Sequence, residues 1–167
     1  MKIIVIDGQG GRIGSLIISK IKASSVKESV IAIGTNSMAT SSMLKAGADK
    51  AATGENPVVI NARDADFIIG PIGIISADAL LGEITPAMAN AVSSSHAFKI
   101  LIPTNQCNHY IAGIKDTPLG ELITDAINRL EDALARVPGL PPHRLPRHRV
   151  HLLPAAGHRR QPEWGPL

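Results

Sequence analysis

Aromatic side chains are nearly missing from this 167-residue chain: Phe67, Phe98, Tyr110 and Trp164 are all it has. A platform on which bases could stack is therefore excluded. Cysteine occurs once, at Cys107, which rules out an intramolecular disulfide and any zinc site built from cysteines. No apolar run is long enough for a bilayer, because the longest, Phe67 to Ile75, is broken by glycines and a proline. The N-terminus lacks a signal-peptide pattern, since Lys2 is followed by a short apolar run that ends at Asp7. The expected location is cytoplasmic, with no membrane partner.

A one-signed charge is also lacking where it would matter. The formal charge is +3, yet residues 1–136 carry 12 Lys/Arg against 13 Asp/Glu, and the last 31 residues carry 5 Arg against one Glu. A near-neutral body gives no electrostatic footprint for nucleic acid, so no nucleic-acid partner is expected. Residues 137–167 hold 7 of the 12 prolines and 4 of the 6 histidines and show no periodicity. Such a segment cannot bury enough surface to fold alone. It reads as a disordered extension foreign to the domain, such as a shifted reading frame in a GC-rich gene produces, or as a basic tail for an acidic partner. The expected organisation is one domain over residues 1–136 and a Pro/Arg/His-rich tail over 137–167, with no metal site assigned.

What is present is concentrated in the opening segment, MKIIVIDGQGGRIGSLIISKIK. Four β-branched residues, Ile3 to Ile6, suit a strand buried on both faces. Gly8, Gly10, Gly11 and Gly14 follow, then apolar residues at helical spacing from Ile13 to Ile21. A glycine turn between a strand and a helix leaves backbone N–H groups at a helix N-terminus, where the dipole favours negative charge. Read as G-x-x-G-x-x-G, Gly8, Gly11 and Gly14 stand in the context a dinucleotide fingerprint requires. A turn that binds nothing is the plainer alternative. A nucleoside triphosphate loop fits poorly, because Gly14 is followed by Ser15 and no Gly-Lys-Ser/Thr occurs.

Further along, strands are expected at Val30–Ile33, Lys50–Ala52, Phe67–Gly70, Lys99–Ile102 and, as a sixth, Tyr110–Ile114. Helices are expected at about Ser37–Ala46, capped by Thr35 or Asn36 with Gly47 after its end, and at Val58–Ala62, where a strand is the alternative. Further helices are expected around Ser76–Leu81, from Thr85-Pro86 through Ser94, and from Pro118 to about Ala135. This alternation predicts an α/β, Rossmann-like, doubly wound and mostly parallel sheet of five or six strands with helices on both faces.

In such a sheet the ligand lies outside the carboxyl ends of the strands. The loops there supply Gly8, Gln9, Gly10, Gly11, Arg12, Ile13, Gly14, Thr35, Asn36, Gly70 and Pro71 as candidate cofactor-binding residues. Two departures from a dinucleotide site stand out. The acidic residue expected about 20 residues beyond the glycines, to hold the ribose, is missing, and Gly34-Thr35-Asn36 stands there instead. With Arg12 nearby, that leans towards NADP over NAD. Asp7 would repel a pyrophosphate unless loop N–H groups cap it, which is the commoner role of such an aspartate; a magnesium-binding or general-base carboxylate is the other reading. Candidate catalytic residues are Asp7 and Cys107, with His96 and His109 as partners for the thiol. Glu55 and Glu83 read as helix-start carboxylates or acid/base candidates. No Tyr-x-x-x-Lys dyad exists, since Ile114 follows Tyr110 by four residues.

The stretch GQGGRIG resembles the opening turn of dihydrodipicolinate reductases, which implies NADH or NADPH bound there. Their His-His and Lys-containing substrate motif is absent and there is no room for their second domain, so their reaction is not implied. Over residues 1 to about 136 the chain resembles a short uncharacterised bacterial family, a domain of unknown function. The shared segments are like MKIIVIDGQGGRIG, GTNSMATSSMLKAGA, ATGEN, IIGPIGI, LGEITPAMA and IPTNQCN. That resemblance implies no activity, and it implies that the residues after about 136 are not part of the shared domain. The functional expectation is an NAD(P)-binding protein, a small oxidoreductase or redox sensor, forming a homo-oligomer through apolar residues of the 67–95 region. The alternative is a non-enzymatic module in which a mononucleotide or phosphorylated metabolite regulates a partner.

Overall fold

A computed structural model describes residues 1–104, 111 and 117–136. The strands are β1 (Ile3–Asp7), β2 (Val30–Gly34), β3 (Lys50–Thr53), β4 (Phe67–Pro71) and β5 (Phe98–Ile102). The helices are α1 (Arg12–Lys22), α2 (Ser37–Lys45), α3 (Glu55–Ala62), α4 (Pro86–Ser94) and α5 (Leu119–Arg136). The described strands form one parallel sheet in the order β3-β2-β1-β4-β5. The expected sixth strand falls on 110–114, outside the described residues apart from 111.

Strand alternation divides β1 between two cores. Ile3 and Val5 pack with Ile17, Ile18 and Ile21 of α1, Met43 of α2 and Ile127 and Leu130 of α5. Ile4 and Ile6 pack with Val58 of α3 and Met88 and Val92 of α4. All four β1 side chains are fully buried, a gross stabilisation of about 6–12 kcal/mol at roughly 1.5–3 kcal/mol each. Being buried on both faces, the central strand has no polar alternation to read, only an apolar run.

Helix ends follow local chemistry. The Asn36 side chain caps α2 by accepting the Ala39 N–H, and the Thr85 hydroxyl caps α4 by accepting the Met88 N–H, with Pro86 in the first turn. Gly47, at φ +107°, follows the end of α2 in the left-handed region. The segment Val58–Ala62 is helical, and α3 starts earlier than expected, at Glu55.

One expected helix is corrected. Ser76–Leu81 is not helical; a single 3-10 turn over Ile72–Ile75 is followed by turns. Asp78, Leu80, Leu81 and Gly82 all have positive φ (62°, 56°, 60° and 85°), which a right-handed helix cannot contain. The segment instead closes on itself, with the Asp78 N–H donating to the Ile84 carbonyl (2.8 Å) and the Ile84 N–H to the Ala79 carbonyl (3.1 Å). Burial of Ile74, Leu80 and Ile84 in the second core holds that shape. The apolar residues of the 67–95 region, expected at a subunit interface, are thus largely spent inside the chain: Ile68, Ile74, Ile84, Met88 and Val92 are all buried.

Candidate functional site

Strand order reverses at β1, which lies between β2 and β4. The carboxyl ends of β1 and β4 therefore flank the switch point at which open α/β sheets bind ligands. The β1–α1 turn sits there. It is closed by the Gly11 N–H donating to the Gly8 carbonyl (2.9 Å). Gly11 takes φ +68°, and a Cβ on it would stand 2.7 Å from the Ala39 main chain, so its glycine lets α1 start against α2. A Cβ at Gly14 would collide with Met43 Sδ and lie 2.9 Å from Asp7 Cβ, which makes Gly14 a helix–strand packing position. Gly10 differs: a Cβ there would meet nothing within 4 Å. Gln9, Gly10 and Arg12 are exposed, and Gly8 and Gly14 are buried, with Ile13 half-buried.

Asp7 is the single buried charged or polar residue among those described, at 4% exposure. Its Oδ1 accepts the Gly8 N–H (2.8 Å) and its Oδ2 the Gly14 N–H (2.7 Å). Burial pushes its pKa up, while the N–H groups of Gly14, Gly8 and Ile13 work against that rise and the charge of Glu83 adds to it. The carboxylate thus caps α1 from inside the turn. It is withdrawn from the outer surface, and both of its oxygens accept main-chain N–H groups of the turn. Asp7 takes the Gly14 N–H and faces that of Ile13, while the N–H groups of Gly10 and Arg12 have no partner among the described residues.

A second carboxylate reaches the same turn from far along the chain. Glu83 Oε2 accepts the Gln9 N–H (2.8 Å), the Asn36 Nδ2 group (3.0 Å) and the Thr35 hydroxyl. Partial burial works to raise the Glu83 pKa, but the bonds from Thr35, Gln9 and Asn36 outweigh it and hold the carboxyl below its usual value. Asn36 is fixed in turn, with Oδ1 on the Ala39 N–H (2.9 Å) and Nδ2 also donating to the Gln9 carbonyl (2.9 Å). The end of β2 is therefore not free of carboxylate, although its own residues are. Nothing in the sequence signals this, because 74 residues separate Gln9 from Glu83. Nor is Glu83 at a helix start, since α4 begins at Pro86. Glu55 does open α3, and it accepts the Thr85 hydroxyl.

The other candidates separate. Gly70 and Pro71 are buried in β4, and a Cβ at Gly70 would collide with the Ile6 carbonyl oxygen, so that glycine serves strand packing. His96 precedes β5 and sits at the opposite, amino edge of the sheet, away from the glycine turn. It lines a groove of about 420 Å³ with Val59, Arg63 and Asn90 between α3 and α4, which includes none of the turn residues. Cys107 and His109 lie outside the described residues. No described helix is long and apolar enough to cross a membrane.

Comparison with known proteins agrees on family. Residues 2–135 match the family described as Domain of unknown function (DUF3842), and the chain belongs to that family. No curated protein matches the sequence, so the likeness to dihydrodipicolinate reductases rests on the turn alone. Among solved structures, the chain is similar to a dodecameric FMN-dependent Ubix-like decarboxylase from Escherichia coli O157:H7. The two share 15% identity with a TM-score of 0.41, over 78% of this chain and 77% of that one.

Proposed function

We propose that this member of the DUF3842 family binds a nucleotide of the NAD(P) class, its pyrophosphate seated on the β1–α1 turn. The observation that carries the reading is Gly10. It lies exposed at the switch point, and no part of the described chain requires a glycine there. A phosphate approaching the main chain would require it. The donors fit an anion: the N–H groups of Gly10 and Arg12 lie at the positive end of α1, whose first residue is Arg12 itself. Thr35 and Asn36 border the place where the adenosine ribose would lie. A bound nicotinamide would supply hydride transfer, making the protein a small oxidoreductase or a redox sensor, and a second copy of the chain would complete the substrate side.

A reading without catalysis is favoured by one specific observation. Both carboxylates at the turn are held by hydrogen bonds from the chain itself, Asp7 through both oxygens and Glu83 through Oε2. In that reading the same seat holds a mononucleotide or phosphorylated metabolite that controls a partner.

Melting of the full chain with NAD, NADP, ATP, FMN or buffer separates the two. A ligand at 100 times its dissociation constant stabilises the fold by about 2.7 kcal/mol. A shift with a dinucleotide is expected, and a shift with mononucleotides alone favours the binding module. Gly10→Val is expected to keep the unliganded melting temperature and lose the ligand shift. A retained shift in that variant refutes the seat.

A further inference from the structure

We propose that Glu83 is the ribose-reading residue of this site, accepting the 2′- and 3′-hydroxyls of a nucleotide and excluding one phosphorylated at the 2′ position. The inference rests on the nucleotide seat described above. In dinucleotide folds the ribose lies beyond the end of the second strand, where an acidic side chain accepts its hydroxyls. Here that strand ends in Gly34, Thr35 and Asn36. Glu83 fills the gap in space. Its Oε2 is held at once by Thr35 and Asn36 at the end of β2 and by the Gln9 N–H of the glycine turn.

Three donors on Oε2 fix the carboxylate and leave Oε1 without a hydrogen-bond partner among the described residues. Glu83 itself is half-exposed. An accepting, negatively charged oxygen on a half-exposed residue beside a phosphate seat suits a vicinal diol and repels a phosphoryl group. The backbone that carries the carboxylate is anchored on either side, by Leu80 and Ile84 in the second core at 9% and 0% exposure. Glycine at position 8 is part of the same device, since a Cβ there would stand 2.7 Å from Glu83 Oε2 and 2.8 Å from Thr35 Oγ1. The neutral end of β2 that favours NADP in the linear sequence is thus made acidic by a residue of the β4–α4 connection.

Isothermal titration of the full chain with NAD and NADP tests this. The wild type is expected to bind NAD roughly tenfold or more tightly than NADP, the scale of a hydrogen bond to a charged group. Glu83→Gln and Glu83→Ala are expected to collapse that ratio, chiefly by weakening NAD. Equal binding or a preference for NADP in the wild type overturns the inference, as does a ratio unchanged in both variants. Tighter binding of both dinucleotides by the variants also overturns it, since the carboxylate would then be a competitor for the phosphate seat. If the wild type binds neither dinucleotide, the NAD(P) reading itself fails and this inference with it. Should both Glu83 variants lose a cooperative melt, Thr35→Val removes one donor to the carboxylate and is expected to narrow the ratio; an unchanged ratio there refutes the role.

Discussion

Replacing Asp7 by alanine takes away a buried acceptor on which two backbone N–H groups depend, those of Gly8 and Gly14. Each buried donor left unpaired costs about 1–3 kcal/mol, so Asp7→Ala is expected to destabilise the fold by roughly 2–6 kcal/mol. Asp7→Asn keeps one oxygen as acceptor and turns an NH2 towards the other N–H, for an expected loss of about 1–3 kcal/mol. Denaturant unfolding measures both, as a lower midpoint at unchanged slope. The pH dependence gives an independent check. Burial raises the Asp7 pKa in the folded state, so the native chain binds the proton more tightly than the unfolded one. The stabilisation from that proton is complete below the ordinary aspartate value and disappears as pH rises through the raised one. The stability difference between wild type and Asp7→Asn should therefore widen as pH falls through that window and then level off. Asp49, whose value is lowered by its bond to Lys22, loses stabilisation in acid, but both proteins share it and it cancels; Glu83, also lowered, is coupled to Asp7 through their like charges and belongs to the same difference. A loss under about 0.5 kcal/mol in Asp7→Ala would mean that water satisfies the two amides, and it would refute the reasoning. A flat difference across pH would refute the burial argument.

Two further substitutions probe the frame around the turn. Gly70→Ala drives a Cβ into the Ile6 carbonyl of the neighbouring strand, where neither backbone can yield. A loss of about 3 kcal/mol is expected in denaturant unfolding, and a neutral effect would show that β1 and β4 can separate at the switch point. Leu81 is 94% exposed and left-handed at φ +60°. Relief of about 1–2 kcal/mol of strain, less the roughly 0.5–1 kcal/mol entropic cost of glycine, makes Leu81→Gly more stable. A lower melting temperature in that variant would show that the leucine is held by packing rather than tolerated.

The framework was legible because its signals are local. An unbroken β-branched run announced β1, Asn36 and Thr85 announced the starts of α2 and α4, and Gly47 marked the end of α2. The segment after β4 departs from its local pattern for a physical reason. Ser76–Leu81 has ordinary helical composition, but Leu80 and Ile84 are drawn into the second core and force the chain through left-handed residues. Tertiary burial outweighed local propensity there. Gly11 and Gly14 were recognisable as part of a fingerprint, yet only their neighbours show that they serve packing against Ala39 and Met43, while Gly10 stays open.

By itself the sequence determined the alternation of strands and helices, and with it the glycine turn at the end of the first strand. Those depend on side-chain period and on caps within a few residues. Tertiary structure alone decided what the turn contains. It brought Glu83 across 74 residues to Gln9 of the turn and across 48 to Thr35 at the acid-free end of β2, whereas the Asp7 cap is made locally, on Gly8 and Gly14. A hydrogen bond between such distant residues is set by how the second core closes, and no spacing along the chain records it.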